Sequence, residues 1–400
     1  MSRSMGTTAW EVVARLRQSP LAADFLIHQT PRALHQPYLK ADGTPNDRFF
    51  TEPTGVFNTA ELLVNQLGLT PGVSHGDWSG LQLLLNQYVE DVQNHGDHLQ
   101  LVARNTLTGQ ARYFRAATVV LAGGSIESPK LLRRASMYPG LPQPTKDLLG
   151  HGLTDHPTSD EITTYANGIG NLPLQSDDHA KIVFYSRGAR GANNEVKYPF
   201  NVEMNINHEY WHLRENDPGA TGTRAPGGAA RIDIKFSFGN CLDENNEIKP
   251  ARPYEYVPEV TFRNQRWADY LAEERFPALA GWNRSAGQIF DLLNDITHAV
   301  FSQFQHNGRP ASPVDGSKYE RGGKGFGWGT VHHAVGSLRM PYRPRLDAPF
   351  AAHSVVDEDL RVVGTDRLYV CDMSVIPFSS AANPVRTLAA LALRLSRHLG

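Results

Sequence analysis

Cysteine is almost missing from this chain: Cys241 and Cys371 are the two it has in 400 residues. They cannot build a disulfide framework, and no C-x-x-C pair marks a redox or metal site, so no metal is expected. An excess of one charge is missing too. The formal net charge is -2, with no basic stripe, which leaves no electrostatic pull toward nucleic acid or an acidic membrane. Long apolar runs are also lacking. The longest, Thr118–Ala122 and Leu388–Leu393, are far too short to span a bilayer. Nor does the stretch from Met1 to Trp10 contain the apolar centre of a secretory signal. The expectation is a soluble protein, with the cytoplasm favoured, whose partner is a small molecule and neither nucleic acid nor membrane.

What is present is the composition of an ordinary folded protein, 40% hydrophobic and 20% charged. Its 400 residues are enough for two substantial cores. Residues Ala9–Arg17 predict a helix. Leu81–Val92 leans to β, Asn94–Asp97 turns, His98–Arg104 alternates, Thr108-Gly109 turns and Ala111–Ala116 alternates again, which predicts an antiparallel meander. Thr118–Ala122 is a continuous apolar and β-branched run, the pattern of a strand buried on both faces. Further on, Glu161–Tyr165, Lys181–Tyr185, Phe200–Ile206, Ala230–Phe238 and Val260–Arg263 alternate or are β-rich. Loops rich in Gly and Ala, Arg187–Asn194 and Gly219–Gly228, separate them, and helices are predicted over Gln265–Arg275 and Ser285–Phe301. These segments predict an antiparallel sheet with helices on one face. The fold class is α/β in the α+β sense, with domains over 1–157, 158–325 and 326–400.

Three segments carry chemistry. The first reads strand, glycine turn, helix: Thr118 through Gly123-Gly124-Ser125 to Leu132, with Ser128 as N-cap and Pro129 at the first helical position. Glycines let a backbone approach a ligand and a helix start offers free N–H groups, although an ordinary α/β turn has the same pattern. The second runs from Leu368 to Thr387. Asp372 ends a buried strand, where a carboxylate can accept hydroxyl hydrogen bonds, and Asn383-Pro384 starts an amphipathic helix reaching about His398. Asn383 reads either as a plain N-cap or as part of a helix start whose positive dipole end faces a negative ligand group. The third is His332-His333-Ala-Val-Gly-Ser-Leu-Arg-Met340. Neighbours on extended chain face opposite ways, so at most one of the two histidines faces a given pocket. Local spacing leaves open whether it is a catalyst or a structural hydrogen-bonder.

Taken together, in this order, these segments resemble the glucose–methanol–choline (GMC) oxidoreductases. The likeness rests on Leu81–Val92 with Ala122-Gly-Gly-Ser-Ile-Glu-Ser-Pro-Lys-Leu-Leu132, and on Leu149-Gly-His-Gly-Leu-Thr-Asp-His-Pro157. It continues through His333-Ala-Val-Gly-Ser-Leu-Arg-Met340, Val355-Val-Asp357, Leu360-Arg-Val, the strand to Asp372, and Asn383-Pro384. It spans about 55–160 and 325–400, and only loosely 160–320. The resemblance implies a partial, Rossmann-like FAD-binding domain, a substrate domain, and a C-terminal return carrying a catalytic pair. It implies oxidation of the CH–OH group of an alcohol, polyol or sugar. His333 would take the hydroxyl proton while hydride passes to flavin N5, Asn383 would hold the alcohol oxygen, and His332 would face away. An unperturbed imidazole pKa near ~6.5 suits such a base, which typically contributes ~10²–10⁴-fold. Val89 matches a position whose backbone contacts adenine. Gly123, Gly124, Ser125, Asp372, Asn383 and Pro384 match positions around the FAD. His156 is expected at most on the pocket rim.

One family feature is not found. Its members begin with a strand–G-x-G-x-x-G–helix unit that seats the FAD diphosphate, whereas Gly322–Gly327 here has the wrong spacing and no hydrophobic strand before it. The expectation is that an N-terminal portion is lacking through truncation or a misplaced start. This chain alone would then bind FAD weakly or not at all, and a separate N-terminal segment becomes an expected partner. Two further readings stand beside the leading one. These are an inactive fragment or pseudoenzyme, and a FAD-containing hydroxynitrile lyase.

Overall fold

The computed structural model describes residues 7–30, 82–176, 178, 180–188, 197–198, 200–207, 226–239, 242, 244–249, 257–261, 286–320, 324, 326–327, 333–341 and 354–400. The expected helix Gln265–Arg275 and His332 lie outside them. The larger layer is a seven-stranded antiparallel sheet. Its members are β1 (Phe25–Gln29), β6 (Thr158–Ser159), β7 (Ile162–Ala166), β10 (Ala180–Ser186), β11 (Phe200–Ile206), β12 (Ala230–Phe238) and β17 (Phe326–Gly327). Four short strands form a satellite sheet: β8 (Gly168–Ile169), β9 (Leu172–Pro173), β15 (Phe304–His306) and β16 (Arg309–Pro310). In addition, β13 (Glu247–Ile248) pairs with β14 (Val260–Thr261).

The large sheet exists because its strands alternate. Ile182 and Phe184, Val202 and Met204, and Ile232, Ile234, Phe236 and Phe238 all point to one side and are buried. Against them pack the helices α1 (Thr7–Leu16), through Val12, Val13 and Leu16, and α4 (Ala286–Phe301), through Ile289, Leu293 and Val300. Each such side chain removed from water contributes roughly 1.5–3 kcal/mol, so this shared face is the main stabiliser of the layer. Residues 7–29 therefore depart from the expected first domain. The expected boundaries put them within 1–157, whereas β1 pairs with β10 and α1 buries its apolar stripe in the sheet's core.

The second core gathers a three-stranded meander, β2 (Gln87–Asn94), β3 (Leu99–Asn105) and β4 (Ala111–Ala116), around the parallel pair β5 (Val119–Leu121) and β18 (Leu368–Val370). Three helices join it: α2 (Gly124–Arg134), α3 (Gln143–Leu148) and α5 (Val385–Leu399). Three expectations shift here. β2 starts only at Gln87, because Asn86 adopts a positive φ of 57° and Leu83 to Leu85 are exposed. β5 is not buried on both faces, since Val120 keeps 41% of its surface exposed and only β18 pairs with the strand among the described residues. α2 begins at Gly124, not at Ser128, so Pro129 lies inside the helix. Among the described residues no helix is long and apolar enough to cross a membrane.

Candidate active site

Pro129 has no N–H, so the carbonyl four residues before it, that of Ser125, loses its helical donor. Ser337 supplies the replacement: its Oγ donates to the Ser125 carbonyl at 2.6 Å, while Ser125 Oγ donates to the Ala334 carbonyl at 2.5 Å. Two reciprocal bonds thus fasten the 333–340 loop to the glycine turn. Asp372, at the end of β18, completes the assembly. One carboxylate oxygen accepts from Gly124 N at 3.0 Å and Ser128 Oγ at 2.5 Å, the other from Ser374 N at 2.9 Å and Ser374 Oγ at 2.5 Å. A carboxylate has about four acceptor sites, and here protein donors fill them. The turn itself stays open. Ala122 and Gly123 are exposed, and Gly124, at φ 85°, has no neighbour among the described residues within 4 Å of where a Cβ would stand.

A backbone bridge then sets the histidines. Thr154 and Val335 exchange both hydrogen bonds, 2.9 and 2.8 Å, as an antiparallel pair. Continuing that register by two residues on each strand places His156 opposite His333 on the same face. His156 Nε2 and His333 Nδ1 are 2.7 Å apart, with ring centroids at 5.0 Å and planes 7° from parallel. Nearly parallel rings joined nitrogen to nitrogen at that separation share one plane, so this is an edge-to-edge hydrogen bond and not a face-to-face stack. Asp155 anchors both backbones, accepting His156 N at 2.8 Å and His333 N at 3.4 Å.

His156 is no rim residue. It is 1% exposed, and its Nδ1 has no hydrogen-bond partner among the described residues. Burial, and next the proximity of His333, pull its pKa down from 6.5 to about 4, with Glu203 opposing and Lys235 adding to the effect. His333 itself is half-buried. Asp155, His156 and His333 offer three potential metal-binding atoms within 4.8 Å. However, nitrogens sharing a tetrahedral ion with ~2.0–2.1 Å bonds stand about 3.3 Å apart, farther than this pair.

The other face of the large sheet borders the same place. It carries the odd-numbered members of β10, β11 and β12, among them Lys181, Tyr185, Asn201, Glu203, Lys235 and Ser237. Glu203 lies 3.6 Å from Lys181 Nζ and 3.5 Å from Lys235 Nζ, and accepts from Ser237 Oγ at 3.1 Å. Burial pushes its pKa up, but the lysines, Ser237 and His156 outweigh this and hold it below the usual value. The loop leading to Asn383 reaches the same face, where Asn201 Nδ2 donates to the Ala381 carbonyl at 3.2 Å.

The expected residues are therefore partly brought together. Gly123, Gly124, Ser125, Asp372 and His333 form one connected assembly. Asn383 is exposed and makes no hydrogen bond among the described residues. The N-cap of α5 is Pro384, which is buried, with no side-chain cap. Val89 sits at a register shift between β2 and β3. A cavity of about 340 Å³ beside Gln93, Ser136, Leu141 and Thr365 includes none of these residues. Sequence reasoning missed the burial of His156, its pairing with His333 and the polar sheet face. The alternation of Lys181, Glu203 and Lys235 with buried neighbours was the available signal for the last of these.

Residues 286–392 match the family model of the GMC oxidoreductase C-terminal domain. That stretch holds α4, His333, Asp372 and Asn383. No curated protein matches the chain. Among solved structures it is similar to pyridoxine 4-oxidase from Mesorbium loti, at 16% identity and a TM-score of 0.49. The likeness covers 87% of this chain and 62% of that one, so this chain spans less than two thirds of that protein's length.

Proposed function

We propose that this chain carries the catalytic part of a FAD-dependent oxidoreductase acting on the CH–OH group of an alcohol, polyol or sugar. The observation that supports the reading is the reciprocal Ser125–Ala334 and Ser337–Ser125 bonding, which holds His333 beside an open glycine turn. That open turn fits the ring end of a flavin, approached over Gly123 and Gly124, with Ser125 and Pro384 nearby in this reading and the Val89 backbone toward adenine. Asp372 would act at one remove, by fixing the turn's shape. Bound FAD would supply the hydride acceptor. His333 would take the hydroxyl proton as the carbon-bound hydrogen departs with its electron pair, so the alcohol loses one proton and one hydride and becomes a carbonyl compound. Asn383 would orient the alcohol oxygen through its amide. A substrate rich in hydroxyls suits the charged sheet face, because an apolar one would strip water from Lys181, Glu203 and Lys235 without replacing its hydrogen bonds.

The test keeps the purified chain in excess FAD, so that weakly held cofactor still counts, and records bound-flavin absorbance by difference. Protein-bound colour that bleaches anaerobically on adding a polyol or sugar is the expected result. A chain that takes up no flavin, or bound flavin that no alcohol reduces, overturns the proposal.

A further inference from the structure

We infer that His156 is a positioning residue that fixes the orientation and tautomer of His333: its Nε2 accepts the His333 Nδ1 proton, so that the His333 Nε2 carries no proton and its lone pair serves as the base. The inference rests on the reading of His333 as the base and adds a residue to it. Three geometric observations carry it. The Thr154–Val335 bridge places the rings opposite one another, so the pairing is built into the backbone. The rings are coplanar with facing nitrogens 2.7 Å apart, which demands one proton, and only one, on that axis. Finally, His156 is buried with an Nδ1 that meets no acceptor, so a proton arriving at this ring has no onward path among the described residues.

Charge logic selects the direction of the bond. A His333 that has taken a substrate proton at Nε2 carries N–H on both nitrogens and needs an acceptor at Nδ1. His156 must then present a bare Nε2 and keep its own hydrogen on Nδ1. The groups acting on His156 are His333 at its edge, the Asp155 carboxylate at its backbone N–H, and Glu203 and Lys235 from the sheet. Burial keeps the imidazole neutral in the physiological range, so it can accept this bond without itself being protonated. His156 therefore acts as a neutral orienting partner and not as a relay.

The deciding measurement is nitrogen NMR of the full chain labelled at histidine nitrogens, which needs no bound cofactor. At pH 7.5 His333 is expected with a proton on Nδ1 and a bare Nε2, and His156 is expected not to titrate between pH 8 and pH 5. Finding His333 protonated at Nε2 instead, or His156 titrating with ordinary exposed histidines, overturns the inference. Two variants extend the test. His156→Gln keeps an acceptor near Nε2 and should preserve the tautomer, whereas His156→Leu should lose it. In flavin-loaded protein His156→Leu should lower kcat at least about tenfold with KM nearly unchanged, as expected for a misoriented base, and His156→Gln should recover most of it. Loss in both variants alike overturns the positioning role. If no alcohol reduces the flavin while the NMR result holds, the oxidoreductase reading falls and the histidine pairing stands.

Discussion

Ser337 is completely buried, and its hydroxyl is the donor that Pro129 removed from α2. Ser337→Ala should leave the Ser125 carbonyl unsatisfied and cost about 1–3 kcal/mol, measurable by urea denaturation. A change within error would mean that water or another group takes the hydroxyl's place. His156 adds a pH signature. Its folded pKa of about 4 lies below the 6.5 of the free side chain, so on acidification the unfolded chain binds the proton first. Stability should thus fall as pH drops from about 7 toward 4 and then level off for this group, a contribution of up to about 3 kcal/mol. In His156→Leu that part of the slope should vanish, and unfolding free energies at pH 7 and pH 5 compare the two chains directly. Neither feature was legible in the sequence. Pro129 read as the first residue of a helix, and two histidines 177 residues apart meet only through a register no local pattern records.

At the level of elements, the loop carrying His333 is shaped by Gly336. Its φ is 95°, and a Cβ there would overlap Leu242 Cδ2 and approach the Gly152 carbonyl to 2.6 Å. Gly336→Ala combines left-handed strain with a backbone clash, so it should destabilise by more than about 1–3 kcal/mol and pull Val335 off Thr154. Thermal unfolding, with loss of the His156–His333 coupling by NMR, would report both; an unchanged midpoint would show that the loop shifts freely. Strands of the large sheet were legible because period-two burial leaves an alternating trace, as in Ala230–Phe238. The start of α2 was not, since Gly124 at φ 85° lets the helix begin before its best sequence cap. β5 misled for a different reason: its apolar run says nothing of how many neighbours cover it, and Val120 stays exposed.

For the molecule as a whole, the chain passes repeatedly between its two cores. Residues of α1 and β1 lie in one, β2 to β5 in the other, β10 to β12 and α4 in the first again, and 335–395 in the second. Such threading should make the cores unfold together. Native-state hydrogen exchange tests this: the slowest amides of β11 and β18 should open with free energies equal within about 1 kcal/mol, whereas separate foldons would differ more. The expected first domain, 1–157, does not foresee that α1 and β1 lie in the core of the large sheet, because an N-terminal strand's partner cannot be read from its own residues. Both histidines ride on passages of this kind, His156 just before β6 and His333 just after β17. Their 2.7 Å contact consequently sits where two crossings are tied side by side by the Thr154–Val335 bridge, so a slip of one crossing strand along the other by about the width of a bond parts the rings.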